Sequence, residues 1–124
     1  MLVVGDDADL RLVIKTALDH AGYHVETAAN GQKALELCQL RDPDVILVDI
    51  DMPVLSGRAF VIRYQALPTA NARIIVMSGH DAENAARTVP CEFGLSKPFS
   101  MDEVLVAVGY LSNLRVPAPQ QLSP

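Results

Sequence analysis

The sequence is poor in cysteine, aromatic residues and positive charge. Its 124 residues include two cysteines, no tryptophan and 5% aromatic residues, and ten Lys and Arg side chains face fifteen Asp and Glu, a net charge of −5. This balance lacks the basic footprint of a nucleic-acid-binding protein or of a protein that docks on an anionic membrane. We therefore predict no direct nucleic-acid binding by this domain and no membrane association.

The cysteines and the apolar runs bear on the cellular compartment. Cys38 and Cys91 lie far apart and lack a C-x-x-C or histidine-rich context, so we expect buried, reduced thiols rather than a disulfide or a zinc site. No signal peptide is recognisable, and no apolar run approaches the roughly 18 residues of a membrane span. These features favour a cytoplasmic protein.

What the sequence does contain is an alternation of short apolar runs and amphipathic segments, which is typical of repeated βα units. Strands are predicted at Leu2–Val4, Tyr23–Ala28, Asp44–Asp49, Arg73–Ser78 and Phe93–Ser96. The first predicted helix carries an apolar stripe of Leu10, Val13, Ile14, Ala17, Leu18 and Ala21. Later helices are predicted through Ala34–Cys38, through Phe60–Tyr64, over Ala82–Thr88, and from a capping box at Ser100 to about Asn113.

The pattern predicts an α/β fold. Five strands alternating with five helices, joined by right-handed crossovers, form a three-layer doubly wound parallel sheet. With half of the residues hydrophobic, the length suits one domain. We predict that this domain spans residues 1–116 and that the proline-rich residues 117–124 form a flexible tail or the stub of a linker.

Polar residues follow four of the predicted strands, at the point where each strand ends. In doubly wound sheets, ligands bind just outside these carboxyl ends. Clustered carboxylates repel one another and favour a hard divalent cation such as Mg²⁺, while a lysine and a hydroxyl suit the oxygens of a phosphoryl group. The residues concerned are Asp6 and Asp7 after the first strand, Asp49 and Asp51 after the third, Ser78 after the fourth and Lys97 after the fifth.

Residues 2–114 resemble the receiver domains of two-component response regulators. The resemblance is highly specific because it rests on several motifs at once. They are Val3-Val4 before an acidic turn, the nine residues Asp49-Ile50-Asp51-Met52-Pro53-Val54-Leu55-Ser56-Gly57, then Met77-Ser78-Gly79, and Lys97-Pro98-Phe99. The resemblance implies a flavodoxin-like fold with strand order 2-1-3-4-5.

The resemblance also implies a function and a mechanism. Asp49 would accept a phosphoryl group from a histidine kinase or a histidine phosphotransfer domain, in a reaction that depends on Mg²⁺. The metal ligands would be Asp6, Asp49 and the backbone carbonyl of Asp51. Ser78 and Lys97 would contact the phosphoryl oxygens.

The resemblance further implies a cis peptide bond before Pro98. The domain would be a signalling switch rather than a turnover enzyme, with only self-phosphorylation and slow self-dephosphorylation. The sequence names neither an effector nor an oligomeric state.

One departure from the family pattern concerns the metal. Receiver domains carry two adjacent acids after the first strand, and Gly5 occupies the position of the first one. We expect weakened but real metal binding. Asp7 would substitute only if the turn slips by one residue, and the side chain of Asp51 is a second candidate substitute.

Other departures concern the region that reads out phosphorylation. Receivers place an aromatic residue three positions before the lysine, where this chain has Gly94, and Phe93 should point the other way because strand side chains alternate. Ser78 and Lys97 are only 19 positions apart, and Pro90 replaces a usual glycine. We therefore expect a short or frayed fourth helix and an altered output surface.

Two alternatives stay open at this level. A pseudo-receiver would keep the fold but signal without phosphate, which Gly5 and Gly94 favour and which Asp49, Ser78 and Lys97 oppose. A haloacid-dehalogenase-like phosphatase also uses an apolar strand that ends in Asp-x-Asp. Its motif normally lies near the start of the chain, whereas a whole βαβα unit precedes Asp49 here.

Overall fold

The computed structural model describes residues 1–52, 56–79, 87 and 89–115, the last three without their side chains. Within these ranges there are five strands and four helices. The strands are β1 (Leu2–Val4), β2 (Glu26–Ala28), β3 (Val45–Asp49), β4 (Arg73–Ser78) and β5 (Phe93–Ser96). The helices are α1 (Ala8–His20), α2 (Gly31–Leu40), α3 (Gly57–Gln65) and α4 (Met101–Arg115).

All five strands are parallel and form one sheet in the order β2-β1-β3-β4-β5. The doubly wound fold and the strand order that the resemblance implied are therefore confirmed. The register pairs Asp49 of β3 with Met77 and pairs Ser78 of β4 with Ser96 of β5. The ends of β3, β4 and β5 thus meet along one edge of the sheet.

The sheet has a hydrophobic core on each face, because successive strand residues point to opposite sides. On one side, Leu2, Val4, Ile46, Val48, Ile74 and Val76 pack with α2 and α3. On the other, Val3, Val45, Leu47, Ile75 and Met77 pack with α1 and α4. Burial on both faces explains why β3 and β4 read as continuous apolar runs.

Side chains of the preceding turns start the helices. Asp7, Asn30 and Ser56 each accept a hydrogen bond from a first-turn amide of α1, α2 and α3 respectively. At α4 the predicted capping box is present: Glu103 N donates to Ser100 Oγ and Ser100 N to Glu103 Oε1, both at 3.1 Å. Each of the four helices therefore begins at a capping side chain, and the cap at Ser100 is the one that the sequence predicted.

Some predicted details were wrong. β2 starts at Glu26 rather than Tyr23, because the amide of Tyr23 still bonds to Leu18 O at the end of α1. In the predicted stripe of α1, Val13 is 49% exposed and Ala21 is also exposed, since Ile14 and Leu18 face the sheet. Cys38 is buried as predicted, whereas Cys91 is only half-buried.

Several predictions fall on residues that the structure does not describe. All of the helix predicted over Ala82–Thr88 except Arg87, and the tail from 117 to 124, lie outside the described ranges. The domain boundary at residue 116 therefore stays a prediction. No helix in the described ranges is long and apolar enough to cross a bilayer.

Candidate functional site

Asp49 is a buried carboxylate at the end of the central strand β3. It is 3% exposed, and both of its oxygens accept hydrogen bonds. Oδ1 accepts from the amide of Asp51 at 2.9 Å, and Oδ2 accepts from Lys97 Nζ at 2.5 Å. A buried carboxylate needs such hydrogen-bond partners, and the Lys97 ammonium group and the Asp51 amide supply them.

Lys97 reaches Asp49 because its backbone is tied to the neighbouring strand. The residue follows β5 directly, and its amide donates to Ser78 O at 2.8 Å. The next peptide bond, Lys97–Pro98, is cis, which is the geometry that the resemblance implies. The Lys97 side chain is 30% exposed and that of Asp49 5%, so the ion pair lies at the mouth of a cleft with its anion inside.

The backbone at the start of α3 lies very close to the backbone at the end of β3. α3 begins at Gly57, which lies directly against the backbone of Asp49 and Ile50. A Cβ atom at position 57 would lie 2.2 Å from Asp49 O and 2.5 Å from Ile50 Cα, distances that no side chain tolerates. Glycine is therefore required for the first turn of α3 to pack behind the acidic residue.

Asp51 joins the loop after β3 to the end of β4. Its Oδ2 accepts hydrogen bonds from Ser78 Oγ and from the amide of Gly79, both at 3.2 Å. Ser78 is 3% exposed and lies one strand away from Asp49. The predicted hydroxyl is thus in the cleft, and the Asp51 carboxylate is turned towards it rather than towards the turn after β1.

The turn after β1 completes the cleft. Asp6 is exposed, whereas Asp7 is the N-cap of α1 and accepts from the amide of Leu10 at 3.1 Å. A Cβ at Gly5 would lie 3.7 Å from Asp49 Cβ, an ordinary contact distance. Gly5 therefore lies beside the acidic residue, where the family pattern has its first acid.

The set of donors available for Mg²⁺ is smaller here than in the family pattern, because Gly5 supplies no carboxylate. The described ranges contain no group of three or more His, Cys, Asp or Glu side chains placed to hold a metal. The carboxylates of Asp6 and Asp49 and the carbonyl of Asp51 are hard oxygen donors of the kind that Mg²⁺ prefers, and this ion keeps several waters. These three donors are of the right chemical type for Mg²⁺, and water would have to supply the remaining ligands.

The strand that precedes Lys97, β5, differs from the family pattern as the sequence predicts. Gly94 pairs with Val76 in the sheet, and Phe93 packs against Tyr110 of α4 with ring centroids 5.8 Å apart. The aromatic side chain therefore lies on the α4 side of β5. His80, in the loop after Ser78, is outside the described residues.

Sequence reasoning missed one cation near the site and one contact of Asp51. Arg11 Nη1 donates to Gly5 O at 2.5 Å, and Arg11 lines the same small cavity as Gly5 and Asp49. The sequence signal for Arg11 was its position one helical turn after the N-cap Asp7, close to the loop that follows β1. The bond from Ser78 to Asp51 had no sequence signal, because it joins the end of β4 to the turn after β3, 27 positions away along the chain.

A doubly wound α/β domain with a lysine-paired carboxylate at its switch point defines the class to which this chain belongs. The family model for the response regulator receiver domain matches residues 1–109. The chain therefore belongs to the response regulator receiver domain family. This membership decides against the haloacid-dehalogenase-like phosphatase.

Curated relatives agree with the family match. The chain is 28% identical over 111 residues to sporulation initiation phosphotransferase F of Bacillus subtilis, covering 87% of this chain and 89% of that protein. It is 35% identical over 113 residues to the DNA-binding transcriptional regulator NtrC of Escherichia coli, covering 86% of this chain but only 23% of that protein. The chain thus matches whole short relatives and one part of longer ones.

Solved structures agree as well. The chemotaxis response regulator CheY4 of Vibrio cholerae aligns with a TM-score of 0.82 at 30% identity, over 89% of this chain and 95% of that chain. The receiver domain of the Francisella response regulator 1452 aligns with a TM-score of 0.81 at 30% identity, over 93% and 97% of the two chains. Both likenesses extend over nearly the whole domain.

Proposed function

We propose that this receiver domain is phosphorylated on Asp49. The observation that carries the proposal is the contact between Lys97 Nζ and the Oδ2 of a carboxylate that is 3% exposed, at the carboxyl end of the central strand. The donor is the phosphohistidine of a histidine kinase or a histidine phosphotransfer domain, the partner class that membership in the family implies. An effector then reads the modified domain, and no direct contact with nucleic acid is proposed.

In the transfer, an oxygen of Asp49 forms a bond to phosphorus while the bond between phosphorus and the histidine nitrogen breaks. The imidazole leaves with the bonding electrons, and the product is an aspartyl phosphate. Reactions of this kind need mainly positioning and neutralisation of charge. Lys97 moves from the free carboxylate to the phosphoryl oxygens, and the Ser78 hydroxyl donates to another of them.

Receiver domains generally bind Mg²⁺, and in this chain Asp6, Asp49 and the carbonyl of Asp51 would hold it. When bound, the ion neutralises charge on the phosphoryl oxygens. Gly5 supplies no carboxylate, so the affinity is weaker than two adjacent acids would give. The domain also takes phosphate from small donors and hydrolyses the aspartyl phosphate slowly, as a cytoplasmic switch rather than a turnover enzyme.

The test is mass spectrometry of the chain after incubation with acetyl phosphate, with and without Mg²⁺. We expect one added phosphoryl group per chain in the wild type, dependent on Mg²⁺, and none in Asp49→Asn. Asp44→Asn is the matched control because Asp44 precedes β3, at the opposite end of the same strand, and should be phosphorylated like the wild type. Stoichiometric uptake by Asp49→Asn would refute the assignment of the acceptor.

The second candidate is a pseudo-receiver that signals without phosphate. The observations in its favour are Gly5 beside Asp49 and Gly94 in β5, which remove an acid and an aromatic residue of the family pattern. A wild-type chain that forms no adduct with acetyl phosphate or beryllofluoride, even at high Mg²⁺, would support this reading in place of the first.

A further inference from the structure

The bridge that Asp51 makes between two loops has a consequence for the switch. Its Oδ2 accepts from Ser78 Oγ and from Gly79 N, each at 3.2 Å, and we name these two bonds the Asp51 bridge. The amide of Asp51 meanwhile donates to Asp49 Oδ1 at 2.9 Å. One residue therefore contacts the acceptor through its backbone and the neighbouring strand end through its side chain.

The two donors of the Asp51 bridge are those that bind a phosphoryl oxygen well. A hydroxyl and a backbone amide form short, strong hydrogen bonds to anionic oxygens. A carboxylate is itself an anionic oxygen acceptor, so it competes directly for the same donors. In the unmodified protein, Asp51 thus accepts the hydrogen bond of the Ser78 hydroxyl that a phosphoryl group on Asp49 would otherwise accept.

We propose that Asp51 is a positioning residue that holds Ser78 and Gly79 away from Asp49 until phosphorylation breaks the Asp51 bridge. The inference rests on the proposed function of Asp49. An aspartyl phosphate carries about two negative charges where the free carboxylate carries one, and the added charge raises the energy of the Asp51 carboxylate beside it. Ser78 then exchanges one anionic acceptor for another, and the Asp51 bridge sets how strongly the unmodified state resists the change.

Beryllofluoride binding, measured by nuclear magnetic resonance at a fixed Mg²⁺ concentration, tests this role. We expect Asp51→Ala to bind beryllofluoride on the order of tenfold more tightly than the wild type, because a charged competitor for two donors is gone. Asp51→Asn should fall between them, since its amide oxygen still accepts but carries no charge. Without beryllofluoride, the amide resonance of Gly79 should shift in Asp51→Ala, because this amide loses the carboxylate that accepts its hydrogen bond. The loss of a charge alone would not require such a shift.

The control is Asp9→Ala, which removes one negative charge from the first turn of α1 without touching β4. It should bind beryllofluoride like the wild type. Equal affinity of Asp51→Ala and wild type, an unshifted Gly79 amide, or an equal gain in Asp9→Ala would overturn the role of Asp51 alone. Absence of any adduct in all variants, with the Asp51→Ala chain folded, would overturn the proposed function and this inference together.

Discussion

The turn that follows β1 has Gly5 where the family pattern has an acid, and the guanidinium group of Arg11 lies beside this turn. Gly5 lies next to Asp49, and Arg11 donates a hydrogen bond to the carbonyl oxygen of Gly5. Asp7 is occupied as a helix cap, and Asp51 is turned towards Ser78, so neither carboxylate replaces the missing acid in this arrangement. The weakness expected of the metal site therefore comes from one position, and it should be reversible there.

We predict that Gly5→Asp raises the affinity of the domain for Mg²⁺ by about tenfold, because the number of charged ligands sets the affinity of such sites. Space exists, since a Cβ at position 5 meets Asp49 Cβ at 3.7 Å and nothing closer. The measurement is a titration of the purified domain with Mg²⁺, followed by amide chemical shifts.

Gly5→Asn is the control for this prediction, because it adds nearly the same volume without the charge. Its Mg²⁺ affinity should remain within a factor of about two of the wild type, as amide oxygens are weaker ligands than carboxylates. If Gly5→Asp binds Mg²⁺ no more tightly than Gly5→Asn, the missing acid is not the cause of weak binding.

At the scale of the secondary-structure elements, α3 packs against the end of β3 so closely that Gly57 has no room for a side chain. The first turn of α3 is held by Ser56, which caps it, and by Gly57, whose Cα lies against the backbone that carries Asp49. This contact connects helix packing directly to the position of the acceptor.

We predict that Gly57→Ala lowers the free energy of unfolding by about 1–3 kcal/mol or more, because the added methyl group forces α3 away from β3. Displacement of Asp49 should also slow phosphorylation by acetyl phosphate. Urea unfolding and the rate of adduct formation measure the two effects.

The matched control is Gly109→Ala in α4, where the new Cβ would be 3.8 Å from Tyr23 Oη. Alanine is the better helix former, so this variant should gain about 0.5–1 kcal/mol. Equal changes in the two variants would contradict the steric explanation at position 57.

In the molecule as a whole, the core between the sheet and α2 and α3 contains two groups that resist ionisation. Burial raises the pKa of the Cys38 thiol to about 12 from 9.0. Burial, together with a hydrogen bond to Asp42 at 2.6 Å, raises the pKa of Tyr64 to about 12 from 10.0. Tyr64 Oη also accepts from the amides of Asn71 and Ala72, so this hydroxyl connects α3 to the loop before β3 and to the loop before β4.

A raised pKa means that the folded state keeps its proton longer than the unfolded state. Stability from these groups is therefore complete below pH 9.0 and is lost as the pH rises towards about 12. We predict a fall in the free energy of unfolding across this window, measured by urea unfolding. Tyr64→Phe should start less stable by about 1–3 kcal/mol, because Asp42 and two amides lose a partner, and should lose less above pH 10.0. Parallel pH profiles for wild type and Tyr64→Phe would rule out the tyrosine as a contributor.

Much of the fold was predictable because its signals are local. The apolar runs of β3 and β4 and the capping box at Ser100 all depend on neighbouring residues. The errors came at the end of α1, where the hydrogen-bonded turn that closes the helix extends further than the pattern indicates, and on its face, where packing against the sheet decides. β2 is short because Tyr23 closes α1, and Val13 is exposed because the sheet contacts Ile14 and Leu18 instead.

The site divides in the same way. The sequence by itself determined which chemical groups end the strands and, through its motifs, the family of signalling domains to which they belong. Only the tertiary structure decided that Lys97 bonds to Asp49 across β4, that Asp51 bonds to Ser78 and that Gly57 lies on the backbone of β3. Strand residues take their identity from burial, which leaves a pattern along the chain, whereas these contacts join distant residues through the parallel register and leave none.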